Sequence, residues 1–182
     1  MIQGAKMLLT VSGPAGSGKT TLSKLLSERL SLPLISTGTI FRRMAEEHGM
    51  DVLSFNLFAE NRPEIDMELD RRVVEEAKRN GSCIVEGRIA CQMLKRSFLS
   101  PFCIYLTAEE IVRARRIVQR EGGDVAEVLE QMRKRGESER KRYMNFYGIN
   151  VDDTSVYDIV LDSTHLSPEE LCSRVLKALE VN

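Results

Sequence analysis

The residues Gly13-Pro14-Ala15-Gly16-Ser17-Gly18-Lys19-Thr20 fill the pattern G-x-x-x-x-G-K-[ST] in full, the spacing of a phosphate-binding loop. Glycines let the backbone curl until successive N–H groups face phosphate oxygens. A helix starting there aims its positive end at the same anion. Lys19 supplies a mobile ammonium for β and γ phosphates, and the Thr20 hydroxyl is placed to ligate Mg²⁺, with Thr21 next in the same turn. The expected ligand is a nucleoside triphosphate. The motif is silent on what is done with it.

Other residues suit phosphoryl transfer between two polyanions, which needs cations converging on the moving group. Ser36-Thr37-Gly38 with Arg42 four residues on, and Glu86-Gly87-Arg88, are small turns each bearing an arginine. Two guanidinium forks there could clamp an acceptor phosphate bidentately. Glu86 could hold Mg²⁺ through water. Between Arg113 and Arg142 ten Lys/Arg face six acids, a local +4 on a remainder of −5.

These groups can converge only if strand ends present them together. Met7–Ser12, Leu34–Ile35, Cys83–Val85, Phe102–Leu106 and Tyr157–Leu161 are short apolar runs that read as buried strands. Helical spacing falls between them: Leu22, Leu25, Leu26 and Leu30; a stretch to about His48; and Ile65 to Asn80, stopped by Gly81. Thr107-Ala108-Glu109-Glu110 has the form of a capping box, Gly122-Gly123 a stop, and a charged helix runs to about Arg142. Ser167-Pro168 opens a terminal helix. The expectation is an α/β fold: a P-loop NTPase of three layers, α/β/α, around a five-stranded parallel sheet. In such a sheet the carboxyl ends of the strands share one crevice.

Composition narrows the classes. The 182 residues suit one domain. A formal charge of −1 provides no global basic field, and 5% aromatics with no Trp leave few stacking platforms, so no nucleic-acid partner is expected. No apolar run approaches a membrane span and no signal peptide is read, so a cytoplasmic protein is expected. Cys83, Cys91, Cys103 and Cys172 form no C-x-x-C pair and read as incidental thiols, and His48 and His165 are too few for a histidine metal site.

With the P-loop, Ile35-Ser36-Thr37-Gly38 plus Arg42, Val85-Glu86-Gly87-Arg88, and the basic segment from Arg116 to Tyr143, the chain resembles the nucleoside monophosphate kinases. It is most similar to the archaeal-type cytidylate kinases, over nearly its whole length. Glu86 stands where related kinases usually carry Asp. The resemblance implies ATP as phosphoryl donor with Mg²⁺, and CMP or dCMP as acceptor. It implies a small acceptor lobe at about residues 37–80 and a short helical lid at about 120–142, in a monomer. It also assigns Arg116 and Arg120 to donor phosphates, and Arg135 and Arg142 to the transferring phosphoryl with Lys19 and Arg88. Asp66, Asp70 and Arg71 fall in the acceptor lobe, where carboxylates could accept from the cytosine amine and an arginine could donate to O2 and N3. An adenylate kinase, a regulatory nucleotide-binding module and an RNA-associated protein stay open as alternatives.

Overall fold

The computed structural model describes residues 6–60 and 62–180. Strand and helix alternate as β1 (Leu8–Ser12), α1 (Lys19–Leu30), β2 (Leu34–Ser36), α2 (Thr37–Glu47), α3 (Val52–Ala59), α4 (Pro63–Asn80), β3 (Cys83–Glu86) and α5 (Ala90–Arg96). Then follow β4 (Phe102–Thr107), α6 (Glu110–Glu121), α7 (Val125–Tyr147), β5 (Ile159–Asp162) and α8 (Pro168–Leu179). The strands form one sheet in the order β2-β3-β1-β4-β5, and every pairing is parallel.

The inner strands are buried on both faces, with Thr10 and Ser12 of β1 enclosed along with the apolar residues, while Val160 on edge strand β5 is exposed. Ile84 packs with Leu9, Val11, Ile104 and Leu106 against α1 and α8. Its neighbours Cys83 and Val85 point the other way, into Ile40, Met44, Phe55, Val73 and Leu94 from α2 to α5. This period of two along β3 creates the three layers. α8 starts after Ser167, the N-cap its sequence predicts, and Ser167 and Glu170 complete a capping box there.

Several boundaries differ from expectation. Thr107 stays in β4, opposite Asp162, so its capping box does not form and α6 opens after Glu109. Tyr157 lies outside β5; its ring sits 4.7 Å from that of Tyr105 and its hydroxyl donates to Gln92. α3 is nearly all apolar and α5 has seven residues, so neither carries a helical period to read. α7 runs past Arg142 to Tyr147, ended by left-handed Gly148. The cysteines also differ: Cys91 on α5 and Cys103 on β4 form a disulfide, with Cα atoms 5.6 Å apart. Cys83 and Cys172 are the buried free thiols, burial pushing the Cys83 thiol up to about 11.

Candidate active site

The P-loop leaves the carboxyl end of β1 and turns directly into α1. Gly18 precedes that helix at φ 90°, and no side chain caps its N-terminus, so its N–H groups suit an anion. Gly16, at φ 75°, is obligatory for a second reason: a Cβ there would lie 2.6 Å from the Arg113 carbonyl oxygen. The Lys19 ammonium donates to the Pro14 carbonyl at 2.8 Å. Desolvation first, and the Arg88 charge second, bring its pKa down to about 7, against the pull of Glu86 and Glu139.

Glu86 closes β3 beside this loop, buried to 8% exposure, and accepts from the Thr20 hydroxyl at 2.9 Å. A buried carboxylate joined to a hydroxyl is a hard oxygen donor set, which fits Mg²⁺. Among the described residues no cluster of three acidic, His or Cys side chains could hold a metal unaided, so such an ion would draw its other ligands from phosphates and water.

Two clefts run along the loop and the first turn of α1. One, of about 310 Å³, is lined by Gly16, Gly18, Thr21, Arg116, Ser163 and Leu166. The other, of about 560 Å³, is lined by Thr20, Ser36, Gly38, Arg42, Glu86 and Arg120. Arg120 borders both clefts, its guanidinium held meanwhile by Glu121. Arg42 is exposed and donates to Thr39. Thr37 is drawn against Gly87, where a Cβ would meet the Thr37 methyl at 2.6 Å, so that glycine joins the β2 and β3 turns.

The helical hairpin α6–α7 completes the site. Arg113 donates to the Ala15 carbonyl and Arg116 to the Gly16 carbonyl, at 3.3 and 3.4 Å. Arg116 also holds Ser163, whose buried hydroxyl donates to the Ser17 carbonyl. Arg88 donates to the Gly13 carbonyl and pairs with Glu139 at 3.1 Å; Glu139 also accepts from Arg135 at 2.9 Å.

Arg142, expected beside the transferring phosphoryl, pairs in this structure with buried Asp66 of α4 at 3.5 Å. Asp70 lies close by, its pKa raised to about 6 by desolvation, opposed by a hydrogen bond from Tyr147. Arg71 is not brought to this group. Its guanidinium is spent on Glu68 and Glu75, on the outer face of α4.

The structure thus gathers Lys19, Thr20, Glu86, Arg88 and Arg135, and separately Asp66, Asp70 and Arg142. Sequence reasoning missed Glu139, Tyr147, Ser163 and the brace formed by Arg113. The i,i+4 spacing of Arg135 and Glu139 was a visible signal; the contacts of Arg113 and Ser163 with the loop are long-range and left none.

A five-stranded parallel sheet with a phosphate loop at its central strand, two adjoining clefts and a basic helical cover define a P-loop kinase fold. Solved structures agree on that fold. A shikimate kinase from Bacteroides thetaiotaomicron superposes with a TM-score of 0.64 at 20% identity, covering 97% of this chain and 99% of its own. A protein from Eubacterium ventriosum gives 0.74 at 18% identity, covering 97% and 100%. The profile of the cytidylate kinase-like family matches residues 8–165, and the chain belongs to that family. The cytidylate kinase of Pyrococcus horikoshii is 44% identical over 175 residues, 96% of this chain and 89% of that protein. That of Methanococcus aeolicus is 42% identical over 174 residues, 95% and 97% of the two chains.

Proposed function

We propose that this chain transfers the γ-phosphoryl group of ATP to CMP or dCMP, giving ADP and CDP or dCDP. The observation that carries the reading is the pair of clefts along one phosphate loop, bordered in common by Arg120 and faced by Arg42 and Glu86 on the acceptor side. A hydrolytic switch needs one nucleotide site; a nucleotide kinase needs two that meet at the γ-phosphate.

In this reading Gly13 to Thr21, Arg116 and Arg120 bind the donor, with the α1 N-terminus and Lys19 on its phosphates. Ser36, Thr37, Gly38, Arg42, Gly87 and Arg88 receive the acceptor phosphate. Thr20 and Glu86 hold Mg²⁺, which when bound would offset charge on the donor phosphates. Lys19, Arg88 and Arg135 supply the charge that the transferring group meets, without a covalent intermediate. Residues 37–80 serve as acceptor lobe and 120–142 as the core of the lid, which excludes water from the transfer. For the base, Asp66 and Asp70 offer acceptors to the exocyclic amine. The guanidinium beside them is Arg142 rather than Arg71. Uracil reverses the pattern at its 4-position, so CMP is preferred over UMP.

The protein acts as a cytoplasmic monomer on free nucleotides. Among the described residues no helix is long and apolar enough to cross a membrane. The decisive experiment is a coupled ADP-release assay over CMP, dCMP, UMP and AMP. Turnover of AMP far above CMP sinks the proposal.

A further inference from the structure

Glu139 is an acid placed among phosphate-binding cations. Its side chain is 13% exposed, on the face of α7 turned toward the P-loop. One oxygen accepts from Arg135 at 2.9 Å and from Arg88 at 3.3 Å; the other lies 3.1 Å from the same Arg88 nitrogen. Together with Gly13, Pro14 and Arg88 it lines a small cavity of about 80 Å³. Lys19 senses the whole group, with Arg88 and Arg135 opposing its charge and Glu139 favouring it.

A carboxylate bridging two guanidiniums, here through Nη2 of Arg88 and Nε of Arg135, puts a negative centre where those same cations would hold a phosphate. Without an anion, Arg88, Arg135 and Lys19 would repel one another across a partly desolvated space. We propose that Glu139 is a positioning residue that masks these arginines: its carboxylate stands in for phosphate between Arg88 and Arg135 until nucleotide phosphates displace it. The inference rests on the reading that those arginines serve phosphate groups.

Two consequences follow physically. The arginines are already ordered when phosphate arrives, so little rotamer freedom is lost at that step. Phosphate must also compete with a tethered anion, which weakens polyphosphate binding and keeps the cover from closing tightly on a single nucleotide.

The test is calorimetric titration with tripolyphosphate, which presents phosphate chemistry without sugar or base. Glu139→Gln removes the negative charge and keeps the shape. It is expected to bind tripolyphosphate about tenfold tighter than the unaltered protein, with a lower KM for ATP, because two charge-assisted bonds no longer need exchanging. A purely structural role predicts the opposite sign. Glu139→Ala repeats the measurement with the best helix former, so that a folding defect of the amide does not decide the matter. If either folded variant binds tripolyphosphate no tighter than the unaltered protein, the masking role is overturned. Unaltered protein that binds tripolyphosphate yet leaves CMP unphosphorylated would count against the kinase reading alone.

Discussion

Lys19 enters the nucleotide-free site with a pKa brought down to about 7, by desolvation and then by Arg88. At about pH 8 such a group is only about one-tenth protonated, whereas an ordinary lysine is fully charged. Triphosphate placed against the ammonium restores the charged form, as opposite charges within a few ångströms do. Binding ATP at that pH should therefore take up close to one proton, about 0.8 if the bound pKa rises to about 9 and about 0.9 if it rises to about 10. The phosphates themselves ionise near about pH 6, so they contribute little there. Uptake should shrink toward about pH 6, where Lys19 is already mostly charged, and again once pH passes the pKa of the nucleotide-bound lysine. The assay is calorimetry of ATP binding in buffers of contrasting ionisation enthalpy, which counts protons from the slope. The slope should vanish in Lys19→Met. Proton release at about pH 8, or uptake unchanged in Lys19→Met, would refute the assignment.

The same shift has a stability signature. Between about pH 7 and the ordinary lysine pKa the unfolded chain holds a proton that the folded site refuses, so nucleotide-free stability should rise with pH there, and the melting temperature of Lys19→Met should fall relative to the unaltered protein as pH rises through that window; a relative melting temperature that stays flat or rises would contradict it. Lys19→Ala should lower kcat by about a hundredfold or more with the fold intact by circular dichroism, and Arg88→Ala should raise the acceptor KM more than the ATP KM. Asp70→Asn should stabilise the protein by about 1–3 kcal/mol at neutral pH. Burial raises the Asp70 pKa to about 6, so ionised Asp70 opposes folding as pH rises through that value; chemical denaturation at two pH values reads this. Gly87→Ala should cost about 1–3 kcal/mol and raise the acceptor KM, because its methyl would sit 2.6 Å from that of Thr37. Thiol titration of the denatured protein should count two free thiols, Cys83 and Cys172, before reduction, and four after it.

Much of this molecule was legible in the linear order of residues, where the determining physics is local. The P-loop is a run of consecutive residues whose glycines, lysine and threonine act through their own backbone, so Lys19 and Thr20 stand where their spacing places them. The strands are short, mostly apolar and bounded by turn residues, which marks a sheet whose inner strands are covered on both faces. The basic segment from Arg113 to Arg142 declared itself by composition, although not which of its arginines faced inward.

Tertiary structure decided the partners. Arg71 and Arg142 are alike as sequence, yet one is spent on neighbours along its own helix while the other crosses to Asp66. That crossing joins α7 to α4, elements far apart in sequence, and a long charged helix with little apolar periodicity does not announce its end. Cys91 and Cys103 meet because α5 folds back on β4, a proximity that a separation of 12 residues does not encode. Glu139 was one acid among six in a charged segment. Only its approach to Arg88, 51 residues earlier, shows it lying where a phosphate would bind, since the energy of a charge depends on what surrounds it in space.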